Sequence, residues 1–251
     1  MTDLFEEVEE QLRSDRYKTL ALKIGPWVAG LLVLALVAAL GVWGWQSYTA
    51  RADAKASEEY AKAMDAYGQG KKDEAFKLWG EVAQSPSKGY KSLALMQQGG
   101  VLLSDGKTDE AIKLFDAAAE AAPTLLIGDA ARLKSAFALL DTASLKDMEA
   151  RLTPLTDDGR PYRAQAREAL AFAKLMAGDL TGARGDFSVI EQMIDAPDGA
   201  RQRAGAAIEL IDSGGAKALP AVVKAAAALP PPAPAPAAGA LAPQQEAPGS
   251  K

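Results

Sequence analysis

Four glycine-opened turns recur along the chain at a fixed interval. Gly70 opens Gly-Lys-Lys-Asp-Glu-Ala-Phe and Gly106 opens Gly-Lys-Thr-Asp-Glu-Ala-Ile. Gly178 opens Gly-Asp-Leu-Thr-Gly-Ala-Arg and Gly214 opens Gly-Gly-Ala-Lys-Ala-Leu-Pro. The intervals are 36, 72 and 36 residues, so one member of the series falls at Thr142, in a turn-like stretch that has lost the glycine. Self-similarity at this period marks a repeat architecture, in which each unit buries its apolar face only against its neighbours.

Each turn has the same surroundings. Seven residues before the glycine stands a small residue: Ala63, Gly99, Ala171 or Ala207. Five after it stands Ala75, Ala111 or Ala183, with Leu219 in the last copy, and nine after it a bulky residue, Trp79, Phe115, Phe187 or Val223. A small residue on one helix admits a close neighbour, a small residue on the second completes the crossing, and the ring fills the space beside it. Glycine suits the left-handed conformation that ends a helix, and Asp73 or Asp109 suits the cap or first turn of the next. Each unit is therefore predicted to be a helical hairpin. The copy Gly99–Ala111–Phe115–Pro123 matches the tetratricopeptide pattern in full, whereas the third fits only after a one-residue shift, as Ala136, Met148, Leu152 and Leu155. Helices are expected at about 53–69, 72–84, 88–105, 108–121, 125–141, 145–155, 160–177, 180–193, 198–213 and 217–228, and no stretch alternates long enough to suggest a sheet. The fold class is an all-α, tetratricopeptide-like solenoid of helical hairpins following one N-terminal transmembrane helix.

That transmembrane helix is read from 27 uncharged residues between Lys23 and Arg51. About 20 helical residues cross a bilayer core of about 30 Å. Residues 29–40 carry no polar side chain, Trp27 sits near one end, and Trp43, Trp45 and Tyr48 sit at the other, where aromatic rings favour the headgroup zones. A buried core helix would need a large protein around it. A cleaved signal peptide would have a short basic leader and an apolar run of about 7–15 residues; here 23 residues precede the run, six of them acidic. An uncleaved anchor fits better. Arg13, Arg16, Lys18 and Lys23 before the span outnumber Arg51, Lys55 and Lys62 after it, which favours a cytoplasmic N-terminus and an exported body.

The expected organisation is a cytoplasmic amphipathic lead (1–23), a transmembrane helix (24–46), a repeat domain (51–228) and a disordered Pro/Ala-rich tail (229–251). In the lead, Asp3-Leu4-Phe5-Glu6 resembles a capping box, and Leu4, Val8 and Leu12 recur every four residues on one expected helical face. It reads either as a solvated lead-in or as a docking helix for a cytoplasmic face. The tail holds seven prolines from 230 onward and cannot build a core.

Composition narrows the function. The 251 residues include no cysteine and no histidine, and 28 Lys+Arg stand against 33 Asp+Glu, a net charge of −5. Thiolate chemistry, Cys-ligated metals and histidine general bases are excluded. A mildly acidic chain is a poor nucleic-acid binder. Asp157-Asp158 lies in a turn and Glu58-Glu59 opens a helix, where acids suit the dipole. We therefore expect a non-enzyme with no cofactor, no metal, no nucleic acid and no small-molecule substrate. The first helices carry an apolar stripe, Tyr60, Met64 and Tyr67, repeated as Met96, Gly100 and Leu103 and then as Glu168, Phe172 and Leu175. Tyr60, Met64, Tyr67, Met96, Leu103, Phe172 and Leu175 are either a partner groove for extended segments or packing between consecutive units.

A lead reading Val8-Glu9-Glu10-Gln11-Leu12-Arg13-Ser14-Asp15-Arg16, a span opened by Gly25-Pro26-Trp27 and a repeat body resemble the YfgM-like proteins, ancillary subunits of the bacterial Sec translocon. The similarity covers roughly residues 1–215. It implies a single-pass protein of the bacterial inner membrane whose periplasmic repeat domain sits beside the SecYEG channel and meets emerging chains or periplasmic chaperones. It implies no catalytic residues. An adaptor in another envelope assembly, serving the cell wall or the outer membrane, is the second expectation.

Overall fold

The structure is a computed structural model describing residues 3–219 and residue 221, with the backbone alone at 3–22 and 25. The predicted tail (229–251), most of the last predicted helix (217–228) and Val223 lie outside the described residues, as do the side chains of Leu4, Val8 and Leu12. Among the described residues the chain is all-helical, without strands. The α-helices are α1 (Asp3–Gly68), α2 (Lys72–Val82), α3 (Lys88–Ser104), α4 (Thr108–Ala121), α5 (Leu125–Leu139), α6 (Leu145–Leu152), α7 (Arg163–Met176), α8 (Leu180–Gln192) and α9 (Asp198–Asp212). Short 3₁₀ turns follow α6 at Thr153–Leu155 and α9 at Gly215–Ala218. The chain divides into two compact units, residues 1–166 and 167–251.

The largest departure from the expected elements is α1. The predicted separate helix at 53–69 is instead the end of one 66-residue helix that includes the apolar run. No proline interrupts 44–52, and Thr49 turns its hydroxyl onto the carbonyls of Trp45 and Gln46 within the helix rather than capping a new one. No missing backbone donor breaks the i→i−4 ladder there, and the helix continues. None of its most apolar window is buried, and Trp27, Leu34 and Trp45 are all more than two-thirds exposed. A core helix would be covered by its own protein; this one is long and apolar enough to cross a membrane and has no such cover.

In the first unit the hairpins are the end of α1 with α2, α3 with α4, and α5 with α6. Their crossings follow the small–small–bulky rule. Ala63 and Ala75 are fully buried beside Trp79, and Ala111 beside Phe115. At Gly99 the approach is closest, for a Cβ there would stand 2.6 Å from the Phe115 ring. Ser92 of α3 donates to the Ala118 carbonyl at 2.7 Å and Gln98 to that of Phe76 at 2.9 Å, tying α3 to the helices on either side. Ser87, Thr124 and Ser144 cap α3, α5 and α6. Helices α2 and α4 have no side-chain cap, and Asp73 and Asp109 lie in their first turns, where a carboxylate faces the positive end of the dipole.

The turn glycines adopt the expected left-handed backbone: φ is +78° at Gly70, +74° at Gly106, +84° at Gly178 and +79° at Gly214. Where the series lacks its glycine, the chain closes differently: the amides of Thr142 and Ala143 both donate to the Leu139 carbonyl, with no positive φ. Helix α6 is only eight residues long and passes into the 3₁₀ turn at Thr153. The shifted register is the one the fold uses, with Ala136, Met148, Leu152 and Leu155 all buried. A Cβ at Gly106 would meet no atom within 4 Å. Gly106→Ala is therefore expected to cost only the backbone term, about 1–2 kcal/mol, measured by thermal unfolding; an unchanged midpoint would contradict the left-handed assignment.

The second unit repeats the packing rule. Ala171, Ala183 and Phe187 are fully buried, and Phe172 meets Phe187 edge-on at 5.2 Å. Asp179 caps α8 through the Gly182 amide at 2.9 Å. Arg167 and Lys174 both bind Asp186, and Arg203 holds Glu168 with two bonds. The hydrogen bond from Arg184 holds the Asp212 carboxyl below the usual carboxylate range.

Candidate interaction surface

The apolar stripe of the first helices divides by environment. Tyr60 is half-buried: its ring packs on Tyr90 at 5.8 Å, and its hydroxyl accepts from Gln97 at 2.9 Å. This residue of α1 thus bridges to α3, the first helix of the next hairpin. Met96 is half-buried against the side chains around Phe115 and those around Ala118 and Ala131. Phe172 is half-buried on Phe187, and Leu175 is buried. Those four serve packing.

Met64, Tyr67 and Leu103 differ. They are 40%, 45% and 38% exposed, so each leaves a large apolar side chain partly in water. Tyr67 meets the Trp79 ring at 5.4 Å, tilted by 50°, and leaves the rest of its own ring open. Met64 and Tyr67 are one turn apart on α1, and Leu103 lies near the end of α3, which packs beside it. Within the first unit they leave apolar surface open on two neighbouring first helices, α1 and α3. Apolar side chains held at fixed spacing on rigid helices suit an extended or helical peptide rather than a reaction.

Concavities also lie in the same unit. A groove of about 620 Å³ runs between the α1 residues Trp45 and Tyr48 and the α2–α3 turn at Pro86 to Tyr90, with Pro123 at its edge. A cleft of about 540 Å³ opens around Asp116, Arg132, Arg151 and Arg160. The charges of these four are spent internally. Arg151 makes a two-pronged contact to Asp116, which also accepts from Ser135 at 2.6 Å. Arg132 and Arg160 both bind Oδ1 of Asp129, which is fully buried. The acidic pairs noted in the sequence take no part: Asp157 and Asp158 are exposed, and Glu59 pairs with Lys55 at 3.7 Å. Among the described residues no group of three or more Asp, Glu, His or Cys is placed to hold a metal.

Sequence reading missed the Asp129 network. Asp129 and Arg160 are 31 residues apart, and Arg160 sits in a stretch that reads as a plain turn. The available signal was a single acid in the otherwise apolar start of α5, where a solvated position was the simpler reading.

A family model described as a tetratricopeptide repeat-like domain matches residues 22–193, more than two-thirds of the chain. The match begins ahead of the apolar run and continues through α8. No curated protein and no solved structure matches the chain.

Proposed function

The chain belongs to the tetratricopeptide repeat-like domain family, and from that premise we propose that it is a membrane-anchored, non-enzymatic adaptor that binds other proteins through its hairpin repeats. What carries the reading is one feature of α1. The same unbroken helix bears an uncovered apolar run long enough for a bilayer and, further along, the partly exposed Met64 and Tyr67. Anchor and docking edge share one rigid element, so a partner is met at a set distance from the lipid. The proposed site is a bacterial inner membrane, crossed once, with the N-terminus cytoplasmic and the repeats periplasmic. The proposed partners are the SecYEG translocon, the chains emerging from it and periplasmic chaperones. The positive-inside bias and the resemblance to the YfgM-like proteins support this choice. The second reading, an adaptor for cell-wall or outer-membrane machinery, draws on the same docking edge with a different partner.

Photo-crosslinking residues placed at 64, 67 and 103 in native membranes will yield adducts with SecY-channel subunits or periplasmic chaperones. The same residue at position 175, which is 3% exposed, will yield none. Adducts only with wall or outer-membrane proteins would select the second reading, and adducts from 175 as readily as from 67 would discard the edge. Protease added to spheroplasts will digest the repeat domain; protection until detergent is added reverses the orientation.

A further inference from the structure

The α-hairpin stack of the first unit has two ends, and they differ. The glycine turns at 70 and 106 form one. The other gathers the α2–α3 and α4–α5 connections, because α1, α3 and α5 run in the same direction. At that end Gly89 and Pro123 come within contact distance, a Cβ on the former lying 4.0 Å from the Pro123 ring. Helix α1 enters the stack at this same end, and its Trp45 and Tyr48 line a groove with Pro86, Lys88, Tyr90 and Pro123.

Height follows from helix geometry. With the span ending at 46, Tyr48 to Ala52 stand about 3–9 Å beyond it at ~1.5 Å per residue. The headgroup region adds about 5–8 Å on each side of the hydrocarbon core. Tyr48 and Ala52 line one concavity with Pro86, which puts the α2–α3 connection level with the headgroups or just beyond them. Directly after Pro123, Leu125 and Leu126 open α5 at 53% and 57% exposure. Two adjacent leucines facing water at the end where an apolar helix departs are poorly placed for an aqueous domain. They are well placed for an interface that accepts apolar side chains, aromatic rings and a lysine together.

We propose that this end of the first unit rests on the bilayer, with Leu125 and Leu126 inserted among the lipids and the Trp45–Tyr90 groove occupied by a phospholipid of the membrane that α1 crosses. The occupant follows from continuity, since Trp45 and Tyr48 belong to both the groove and the spanning helix. The proposal rests on the anchor reading and adds to it. The first unit does not swing on a tether; it stands on the membrane by two contacts, with its glycine turns at 70 and 106 pointing away.

The chain has no native cysteine, so single-site labels need no background removal. Leu126→Cys, Gln69→Cys and Val37→Cys are labelled with an environment-sensitive fluorophore in the full chain. Each is reconstituted in vesicles of phosphatidylethanolamine and phosphatidylglycerol carrying nitroxides at the headgroup or in the acyl chain. The label at 126 should shift to the blue and lose most of its emission to the headgroup nitroxide. The label at 69, on the exposed glycine-turn end, should respond only to a water-soluble quencher. The label at 37 should be quenched by the acyl-chain nitroxide. If 37 is quenched while 126 behaves like 69, the surface contact is wrong and the anchor stands. If 37 escapes the acyl-chain nitroxide, the anchor fails and the surface contact with it.

Discussion

Gly99→Ala will destabilise the first unit, and Gly100→Ala, one residue further along α3, will stabilise it. Both replace a helical glycine, a change that on propensity alone is worth about 1 kcal/mol in favour of alanine. Gly100 is exposed and a Cβ there would meet nothing within 4 Å, so that gain should be seen nearly whole. At Gly99 the added Cβ would lie 2.6, 2.8 and 3.1 Å from three carbons of the Phe115 ring. Phe115 is 2% exposed and packed against Ala111 and Leu102, so the ring has nowhere to retreat. Overpacking of this kind costs about 1–3 kcal/mol, which outweighs the propensity gain. Phe115→Leu in the Gly99→Ala background should restore part of the loss. Unfolding of the detergent-solubilised chain followed by circular dichroism reads all three. A stabilising Gly99→Ala would mean that α3 and α4 do not cross where described.

Arg160→Leu will cost more than Asp129→Leu, although each breaks the same pair. Asp129 is fully buried, and its Oδ2 has no hydrogen-bond partner. Without Arg160 it keeps only the contact from Arg132, whose own side chain is 43% exposed. A fully uncompensated buried charge costs about 3–5 kcal/mol, and loss of one of its two guanidinium partners should cost a large part of that. Arg160 retains 21% exposure and can turn toward water once the acid is gone, so the reciprocal change is milder. The double variant Asp129→Leu with Arg160→Leu removes both charges and should be closer to wild type than Arg160→Leu alone. The same unfolding measurement decides it. Equal costs for the two single variants would show that the carboxylate is not desolvated.

Helix identity was legible because it depends on local rules. The glycines at 70, 106, 178 and 214 mark left-handed turns that few other residues tolerate. The alanines and rings at fixed distances from them announce the crossings, since only small residues let helices approach closely. Even the slipped third unit could be placed, because Met148, Leu152 and Leu155 keep helical spacing after the shift. The apolar run declared its own length and its lack of charge.

The proposed docking edge was legible only as a stripe. Tyr60, Met64 and Tyr67 have the same helical spacing, and periodicity cannot tell which of them a neighbouring helix will cover. Packing decided that Tyr60 is held by Tyr90 and Gln97 while Met64 and Tyr67 keep an open side. Packing likewise decided that Asp129 is buried, that Arg160 reaches it across 31 residues, and that Leu125 and Leu126 are left exposed at the start of α5. Such outcomes depend on which surfaces meet at long range, and chain order is silent on that. Unbroken continuation of the apolar helix into the first hairpin belongs with them. No residue in 44–52 demands either a stop or a continuation, and the helix persists because packing against α2 and α3 holds its far end.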